Sequence, residues 1–168
     1  DQEMKHFIGG EWVSGSNNGS FPVIDPSIAE DLAEIPMGND KDIDAETIKN
    51  AEITFLEGYL WDEGNPKKAF NKAISNSNKV AMSLSDLFCV ERHKSQFLEL
   101  VKYKLDIIFS NEQEILSLID STSFNDVISF SKNLNKNIVV TRGEKGAIAI
   151  NKNEVVECPA IKNLKIKD

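Results

Sequence analysis

The sequence lacks several features that define whole classes of protein. None of its apolar runs approaches the roughly 18 residues of a membrane-spanning helix. The first ten residues, DQEMKHFIGG, contain no basic stretch followed by an apolar one, so no signal peptide is predicted. We therefore expect a cytoplasmic protein that does not bind a membrane.

Cysteine, histidine and clustered basic residues are also scarce. Two cysteines, Cys89 and Cys158, are too few for a disulfide framework. His6 and His93 lie too far apart in the sequence to indicate a zinc site. Cys89 lies in DLFCV, where a free thiol is predicted to pack as a small apolar side chain. Because no basic patch stands out, we expect no nucleic-acid partner.

The charged residues are unevenly distributed along the chain. The net charge is −8, and residues 1–50 hold 11 acidic and 3 basic side chains, whereas the remaining residues hold 16 of each. Two interpretations fit this imbalance. Either the first third is an acidic surface hairpin, or two segments of different origin meet near residue 45.

The pattern of predicted secondary structure changes at the same place. Before it, KHFI and EWVS flank a Gly-Gly turn, and FPVID and DLAEIP flank a second turn, so two β-hairpins are predicted. A helix is predicted over residues 39–52, with Asn39 or Asp40 as its N-cap. From residue 53 onward apolar strands alternate with amphipathic helices, which predicts an α/β fold built on a parallel sheet.

Polar residues follow four successive predicted strands of that sheet. They are Glu57, Gly58 and Tyr59; Ser83, Ser85 and Asp86; Asn111, Glu112 and Glu114; and Thr141, Arg142 and Gly143. Each group also has a simpler explanation, since Asp86 and Asn111 are good helix caps and Thr141 to Gly143 is typical of a turn. Together they favour a ligand site, because α/β sheets bind ligands beyond the carboxyl ends of their strands.

The residue types at this edge suit a nucleotide and a metal ion. Asn111 and Glu114 are three residues apart at a helix start and share a face. An amide and a carboxylate there suit a hydrated Mg²⁺. In the following turn, Gly143 and Gly146 allow the backbone to approach an anion closely. Thr141 adds a hydroxyl group, and Arg142 or Lys145 adds a positive charge.

Four stretches of the chain carry a resemblance to a known family. ITFLEGYLWD, AMSLSDLFCVERHKSQFLEL, FSNEQEILSL and VVTRGEKGAIAI resemble the PfkB (ribokinase-like) sugar and nucleoside kinases, in particular the bacterial adenosine-kinase-like branch, over about residues 48–168. The resemblance implies a three-layer, Rossmann-like α/β fold with a mostly parallel sheet, here incomplete and preceded by an N-terminal β-hairpin segment. It also implies ATP and Mg²⁺ as cofactors and a nucleoside or sugar as substrate.

Two motifs assign roles within that resemblance. FSNEQE matches the family's N-x-x-E motif, which implies that Asn111 binds the nucleotide phosphates and Glu114 the metal. TRGEKG matches the T-x-G-x-x-G segment that borders the nucleotide, which implies cofactor contacts from Thr141, Gly143 and Gly146, with Arg142 between them.

One family motif has no counterpart in the sequence. The D-T-x-G-A-G-D segment, which supplies the anion hole and the catalytic base, is absent, and Asp168 stands where its first Asp would fall. The family's N-terminal substrate-binding part is also not recognisable. We therefore expect these 168 residues to be inactive alone and to associate with themselves through exposed sheet edges.

The first part of the chain resembles a different family. Residues of about 4–46, which include FIGGEWV and DLAEIPMGNDKDIDAE, resemble the N-terminal start of an NAD(P)-dependent aldehyde dehydrogenase. This predicts two domains, a dehydrogenase-like segment over 1–46 and a partial kinase domain over 47–168. The alternatives are an aldehyde dehydrogenase-like fragment and a non-catalytic α/β domain of a hybrid chain, which is natural, engineered or a misassembled gene.

Overall fold

The computed structural model of the protein describes residues 4–16, 19–61 and 64–162. The chain separates into two compact units, one formed by Asp1–Glu52 with Leu60–Asn78 and the other by Ile53–Tyr59 with Lys79–Asp168. No helix within the described ranges is long and apolar enough to cross a membrane. The domain boundary at residue 46 stays a prediction.

The first unit contains the two β-hairpins that the sequence predicts. Strand β1 (His6–Ile8) pairs with β2 (Glu11–Val13), and β3 (Ser20–Asp25) pairs with β4 (Glu30–Pro36), all antiparallel. Two helices complete the unit, α1 (Ala45–Asn50) and α2 (Asn65–Asn76). Gly9 and Gly10 turn the first hairpin with φ angles of 61° and 88°, which a residue without a Cβ adopts readily.

The predicted helix over 39–52 is shorter in the structure, and its predicted cap is wrong. Asp44 is the N-cap of α1, and its side chain accepts a hydrogen bond of 2.9 Å from the backbone N–H of Glu46. Neither Asn39 nor Asp40 caps the helix. Instead, the backbone N–H of Asn39 donates to Asp42 at 2.8 Å, which closes a turn before the helix begins.

The second unit is a six-stranded sheet with the strand order β10-β9-β8-β7-β6-β5. The first four strands along the chain are parallel to one another, and the last two are antiparallel to their neighbours. The strands are β5 (Thr54–Glu57), β6 (Val80–Ser83), β7 (Ile107–Asn111), β8 (Asn137–Thr141), β9 (Ala147–Ile150) and β10 (Val155–Cys158). The predicted mostly parallel α/β sheet is therefore confirmed.

Three helices of this unit connect the parallel strands. They are α3 (Leu87–Tyr103), α4 (Glu112–Leu118) and α5 (Phe124–Leu134). Helix α3 begins at Leu87, because Asp86 caps it by accepting a hydrogen bond from the backbone N–H of Phe88 at 3.1 Å. Strand β6 ends before this cap, at Ser83.

The side chains on the two faces of the sheet differ in how far they are buried. On one face, side chains of the strands are buried with those of α3, α4 and α5, all at 2% exposure or less: Met82, Val90, Phe97, Val101, Ile108, Ile115, Leu118, Val127, Ile138, Val140, Ile148 and Ile150. On the other face, Phe55 is 54% exposed, Phe109 37% and Val156 51%. The parallel strands follow one another across the sheet in a single direction, and right-handed crossover connections then place the connecting helices on one side of it. This accounts for the difference in side-chain burial between the two faces.

Phe97 gives a direct test of this core. Its side chain is fully buried, and its ring packs so closely on Gly58 that a Cβ added there would lie 3.1 Å from the Phe97 ring. We expect Phe97→Ala to lower the free energy of unfolding by about 3–5 kcal/mol, measured by urea denaturation followed by circular dichroism. Phe21→Ala is the matched control because Phe21 is 64% exposed. Equal losses in the two variants would show that Phe97 is not a core residue.

Candidate functional site

The best-defined contact at the predicted site joins Asn111 and Glu114 at the start of α4. The Asn111 side chain accepts a hydrogen bond of 2.9 Å from the backbone N–H of Glu114. In return, the Glu114 carboxylate accepts bonds from the Asn111 backbone N–H at 3.0 Å and from Asn111 Nδ2 at 2.6 Å. This reciprocal arrangement is a capping box, so the simpler explanation of Asn111 as a helix cap is correct.

The same contact leaves Glu114 in an unusual electrostatic position. The residue is 4% exposed, and burial raises the pKa of its carboxyl group. The nearby carboxylate of Asp86 raises this pKa further, while the hydrogen bonds from Asn111 lower it. A positive ion close to this group would therefore be favourable.

The described ranges contain no group of three or more His, Cys, Asp or Glu side chains arranged to hold a metal ion. Mg²⁺ does not require such a group, because it is commonly held by one or two carboxylates together with water and phosphate oxygens. The donor set at Glu114 thus suits a hydrated Mg²⁺ and does not suit an ion enclosed by protein ligands alone.

Thr141 lies beside this capping box at the carboxyl edge of the sheet. The register of β7 and β8 pairs Asn111 with Thr141, so the two predicted site residues are neighbours on adjacent parallel strands. Thr141 is exposed, and its hydroxyl donates a long hydrogen bond of 3.4 Å to the backbone carbonyl of Ser110. The hydroxyl is therefore accessible to a ligand at this edge.

The chain turns sharply after Thr141 and returns as β9. Arg142 N–H donates to the Gly146 carbonyl at 2.7 Å, and Gly146 N–H donates to the Gly143 carbonyl at 2.9 Å. The stretch VVTRGEKGAIAI is thus a strand, a tight turn and a strand. Because Gly146 N–H is used within the turn, its amide does not add to the anion-binding donors that the sequence predicts there.

The two glycines of the turn have different roles. Gly143 has φ +56°, and a Cβ placed on it would meet nothing within 4 Å, so its backbone is open to approach. Gly146 has φ +90°, and a Cβ there would lie 2.0 Å from the carbonyl oxygen of Cys158. Gly146 therefore allows the chain beyond β10 to pack on the turn, and Gly143 leaves the outer side of the turn free.

Arg142 is held by neighbouring side chains. Its Nε lies 3.0 Å from Glu112 Oε2, and its guanidinium carbon lies 3.6 Å from the centre of the Phe124 ring. Lys145 Nζ approaches the other oxygen of Glu112 at 3.4 Å. The hydrogen bond from Arg142 is the main cause that lowers the pKa of the Glu112 carboxyl group. The sequence indicates Glu112 only as one polar residue among several, and its pairing with Arg142 depends on tertiary structure.

The polar residues after β5 and β6 form a second cluster at the same edge. Ser85 Oγ accepts a hydrogen bond of 3.3 Å from the backbone N–H of Tyr59, and the Tyr59 hydroxyl donates to the Ser85 carbonyl at 3.3 Å. Ser85 adopts φ +72°, which is uncommon for a residue with a Cβ. Burial raises the pKa of Tyr59, and nearby acidic groups including Asp86 raise it further. All four predicted strand ends thus lie at one edge of the sheet.

One residue at the edge was not singled out from the sequence. Ser110 is 7% exposed, and its hydroxyl is buried without a hydrogen-bond partner in the described part of the chain. The signal in the sequence is a single serine in the apolar strand IIFSN, at a position that shares a face with Ile108. Such a hydroxyl is unfavourable unless a group or a water molecule satisfies it.

Comparison with known proteins identifies the family. A family profile described as "pfkB family carbohydrate kinase" matches residues 17–168. The chain belongs to the PfkB family of carbohydrate kinases. The match begins inside the segment that resembles an aldehyde dehydrogenase, so the predicted boundary between the two resemblances is not a boundary of the family match.

Two solved structures illustrate the relationship to PfkB kinases. An adenosine kinase from Sinorhizobium meliloti is 32% identical, with a TM-score of 0.72 over 77% of this chain and 41% of its own. A putative ribokinase II from E. coli, solved with ATP and Mg²⁺, is 18% identical with a TM-score of 0.63 over 76% of this chain and 44% of its own, which shows the fold. The chain thus spans less than half the length of these kinases.

The similarity to aldehyde dehydrogenases is weaker and partial. A hydroxyisobutyraldehyde dehydrogenase from Mycolicibacterium austroafricanum is 34% identical over 56 residues, which is 33% of this chain and 11% of that protein. The chain therefore spans only a small part of this curated relative.

The turn glycines of the PfkB segment provide a matched pair of substitutions. Gly143→Ala adds only the strain of a left-handed backbone, for which we expect a loss of about 1–2 kcal/mol in unfolding free energy. Gly146→Ala adds that strain and also a clash with the backbone at Cys158, so we expect at least about 3 kcal/mol. Urea denaturation monitored by circular dichroism measures both. Equal losses would contradict the close packing at Gly146.

Glu114 predicts a pH dependence of stability with a definite sign. Because its folded pKa is raised above the unfolded value, the folded chain binds more protons, and Glu114 makes stability fall as pH rises from the unfolded pKa through the folded one. Glu114→Gln keeps a side chain that serves in a capping box but cannot titrate. We expect this variant to lose that part of the pH dependence, measured by denaturation between about pH 4 and 8. An unchanged pH profile in Glu114→Gln would exclude the buried carboxylate as its source.

Proposed function

We propose that this chain forms the nucleotide-facing and magnesium-facing part of an ATP-dependent kinase that phosphorylates a hydroxyl group of a sugar or nucleoside. Membership of the PfkB family supports the reaction class. One observation carries the proposal to particular residues. The Asn111–Glu114 capping box lies beside Thr141 at the carboxyl edge of the sheet, where α/β proteins bind their ligands.

Each residue of this edge has a role that its geometry allows. The Thr141 hydroxyl and the open backbone at Gly143 contact the nucleotide. Asn111 Nδ2 donates one of its two N–H groups to the Glu114 carboxylate and orients it, and the other N–H is left for a phosphate oxygen. Glu114 attracts a hydrated Mg²⁺, which when bound would offset the negative charge of the phosphate groups. Arg142 and Lys145 both pair with Glu112 and so hold the turn that positions Gly143. The Glu112 carboxylate offsets part of their positive charge, which is then not directed at the nucleotide.

The proton transfer of such a kinase needs groups outside these residues. A hydroxyl nucleophile requires a general base, and the transferring phosphoryl group requires backbone N–H donors, which a helix N-terminus supplies well. The G-A-G-D segment that contributes both in the family does not occur within residues 1–168. Losing either kind of group typically lowers an enzyme's rate by about 10²–10⁴. We propose that a polypeptide of these 168 residues does not turn over substrate by itself.

The activity proposal is tested with three polypeptides and a panel of nucleosides and sugars. The first is the 168-residue chain, the second extends it with a D-T-x-G-A-G-D segment, and the third also replaces residues 1–47 with a kinase N-terminal domain. Substrate-dependent ADP release is expected only from the third. Robust release from the unmodified chain would overturn the assignment of the base to another segment.

Binding of Mg·ATP gives the most direct prediction for this chain. With part of the phosphate donors missing, we expect a dissociation constant no tighter than about 1 mM, or about −4 kcal/mol. Amide chemical shifts in a two-dimensional NMR titration should move at Thr141, Gly143 and Asn111. Glu114→Gln should remove the Mg²⁺ dependence of these shifts, whereas Glu91→Gln, an exposed acidic residue on α3, should not. Shifts confined to residues away from this edge would refute the site.

A dehydrogenase activity has less support. The similarity to the curated dehydrogenase covers 56 residues, and the segment over 4–46 contains no cysteine for a nucleophile and no glycine-rich loop between a strand and a helix. We keep the division into 1–46 and 47–168 as a proposal about the origin of the chain. NADH formation from any aldehyde by this chain would contradict this assessment.

A further inference from the structure

The carboxylate of Glu112 pairs with two cations at the same time. Glu112 is the first residue of α4, directly after Asn111. Arg142 Nε lies 3.0 Å from Glu112 Oε2, and Lys145 Nζ lies 3.4 Å from Glu112 Oε1. Both cations belong to the turn after β8, the same turn that contains Gly143. One acidic side chain at a helix start thus faces two basic side chains at the edge where we place the nucleotide.

Arg142 is the more firmly held of the two cations. Its Nη2 also reaches Glu112 Oε1 at 3.5 Å, so both oxygens of the carboxylate accept from the guanidinium. The guanidinium carbon lies 3.6 Å from the centre of the Phe124 ring, and the Arg142 side chain is only 18% exposed. A fork contact with a carboxylate and stacking on an aromatic ring both fix the orientation of a guanidinium. Moving Arg142 to another partner would therefore break two kinds of contact.

The ammonium group of Lys145 is held much less firmly. Its contact with Glu112 Oε1 at 3.4 Å is long for a hydrogen bond, and its side chain is 64% exposed. An ion pair of such exposed groups shifts an equilibrium by about fivefold at most, because water competes for both partners. A phosphate oxygen can thus replace Glu112 as the partner of Lys145 at small cost.

The sharing of one carboxylate makes this exchange easier. If Lys145 leaves, Glu112 keeps its two hydrogen bonds with Arg142, so no acidic group is left without a partner. The pKa of the Glu112 carboxyl group is lowered chiefly by the hydrogen bond from Arg142; burial opposes this effect, and Lys145 makes a smaller contribution than either. Glu112 therefore depends on Arg142 more than on Lys145.

We propose that Lys145 changes partner when a nucleotide binds, from Glu112 to a phosphate oxygen, while Arg142 stays on Glu112 and holds the turn in place. This rests on the proposed function, because the incoming anion is the polyphosphate of ATP. Glu112 is then a specificity-determining residue. It weakens the attraction of the turn for an anion of low charge such as inorganic phosphate, and an anion with several charges competes with it better.

The first experiment follows the free 168-residue chain by NMR during titration with Mg·ATP. The side-chain Cε–H resonances of Lys145 are assigned by their loss in Lys145→Gln. We expect them to move together with the amide resonances of Thr141 and Gly143. Inorganic phosphate at the same concentration should move the Lys145 resonances at least about fivefold less, because it carries fewer charges. Equal responses to the two anions would contradict the specificity role of Glu112.

Two substitutions should change the affinity for Mg·ATP in opposite directions. Lys145→Gln should weaken binding about fivefold, because the phosphates lose one charged partner. Glu112→Gln should strengthen binding about threefold, since the amide oxygen still accepts from Arg142 but no longer attracts Lys145 or repels phosphate. Glu144→Gln is the matched control, because Glu144 is an exposed acidic residue of the same turn. It should strengthen binding by clearly less than Glu112→Gln does.

The outcomes separate this inference from the proposed function. Weaker binding in Glu112→Gln would overturn the inference, because Glu112 would then bind the metal or position the turn through its charge. Lys145 resonances that stay fixed while Thr141 and Gly143 shift would also overturn it and leave the proposed nucleotide site intact. If Mg·ATP shifts neither Thr141 nor Gly143, the proposed function fails, and the inference fails with it. Far-UV circular dichroism checks that every variant is folded.

Discussion

The contact between Asn111 and Glu114 determines the geometry of the candidate site. It fixes the first residue of α4, and the start of α4 fixes the position of Glu112. Glu112 in turn holds Arg142, whose guanidinium rests on the ring of Phe124 at the start of α5. The turn after β8 is thereby tied to two helices, and Gly143 is left at its open side. This arrangement leaves the Glu114 carboxylate largely buried with only neutral hydrogen-bond donors, so a positive charge beside it is favoured.

Several of these features follow from local sequence alone. Alternating apolar strands and amphipathic helices predicted the α/β class, and the Asn-x-x-Glu spacing predicted a helix start at Asn111, because both signals depend on neighbours within one turn. The strand–turn–strand structure of VVTRGEKGAIAI follows in the same way. The cap of α1 was missed because Asn39 and Asp40 have the composition of a cap, whereas the choice of Asp44 depends on Asp42 being engaged with Asn39 and Ser16.

Other features depend on residues far apart in the sequence. The pairing of Arg142 with Glu112 spans 30 positions, and nothing local distinguishes it from an arginine that faces a phosphate. The role of Gly146 depends on the backbone at Cys158, which the motif T-x-G-x-x-G does not include. The unequal cover of the two sheet faces depends on the order of the strands, and that order is a tertiary property. Sequence motifs therefore predict the candidate site, and tertiary contacts decide which of its groups are available.

The order of the strands has a further consequence for how the sheet is assembled. From β5 to β10 each new strand is added beside the one before it, so the sheet grows in one direction along the chain. Among the described strands of this sheet, none is inserted between two that are already paired. The parallel strands are joined by crossovers of roughly two dozen residues, so their pairing is the slower part of folding, whereas β9 and β10 are added across short turns. A ribosome that releases the chain from its N-terminus would thus present the strands in the order in which the sheet accepts them.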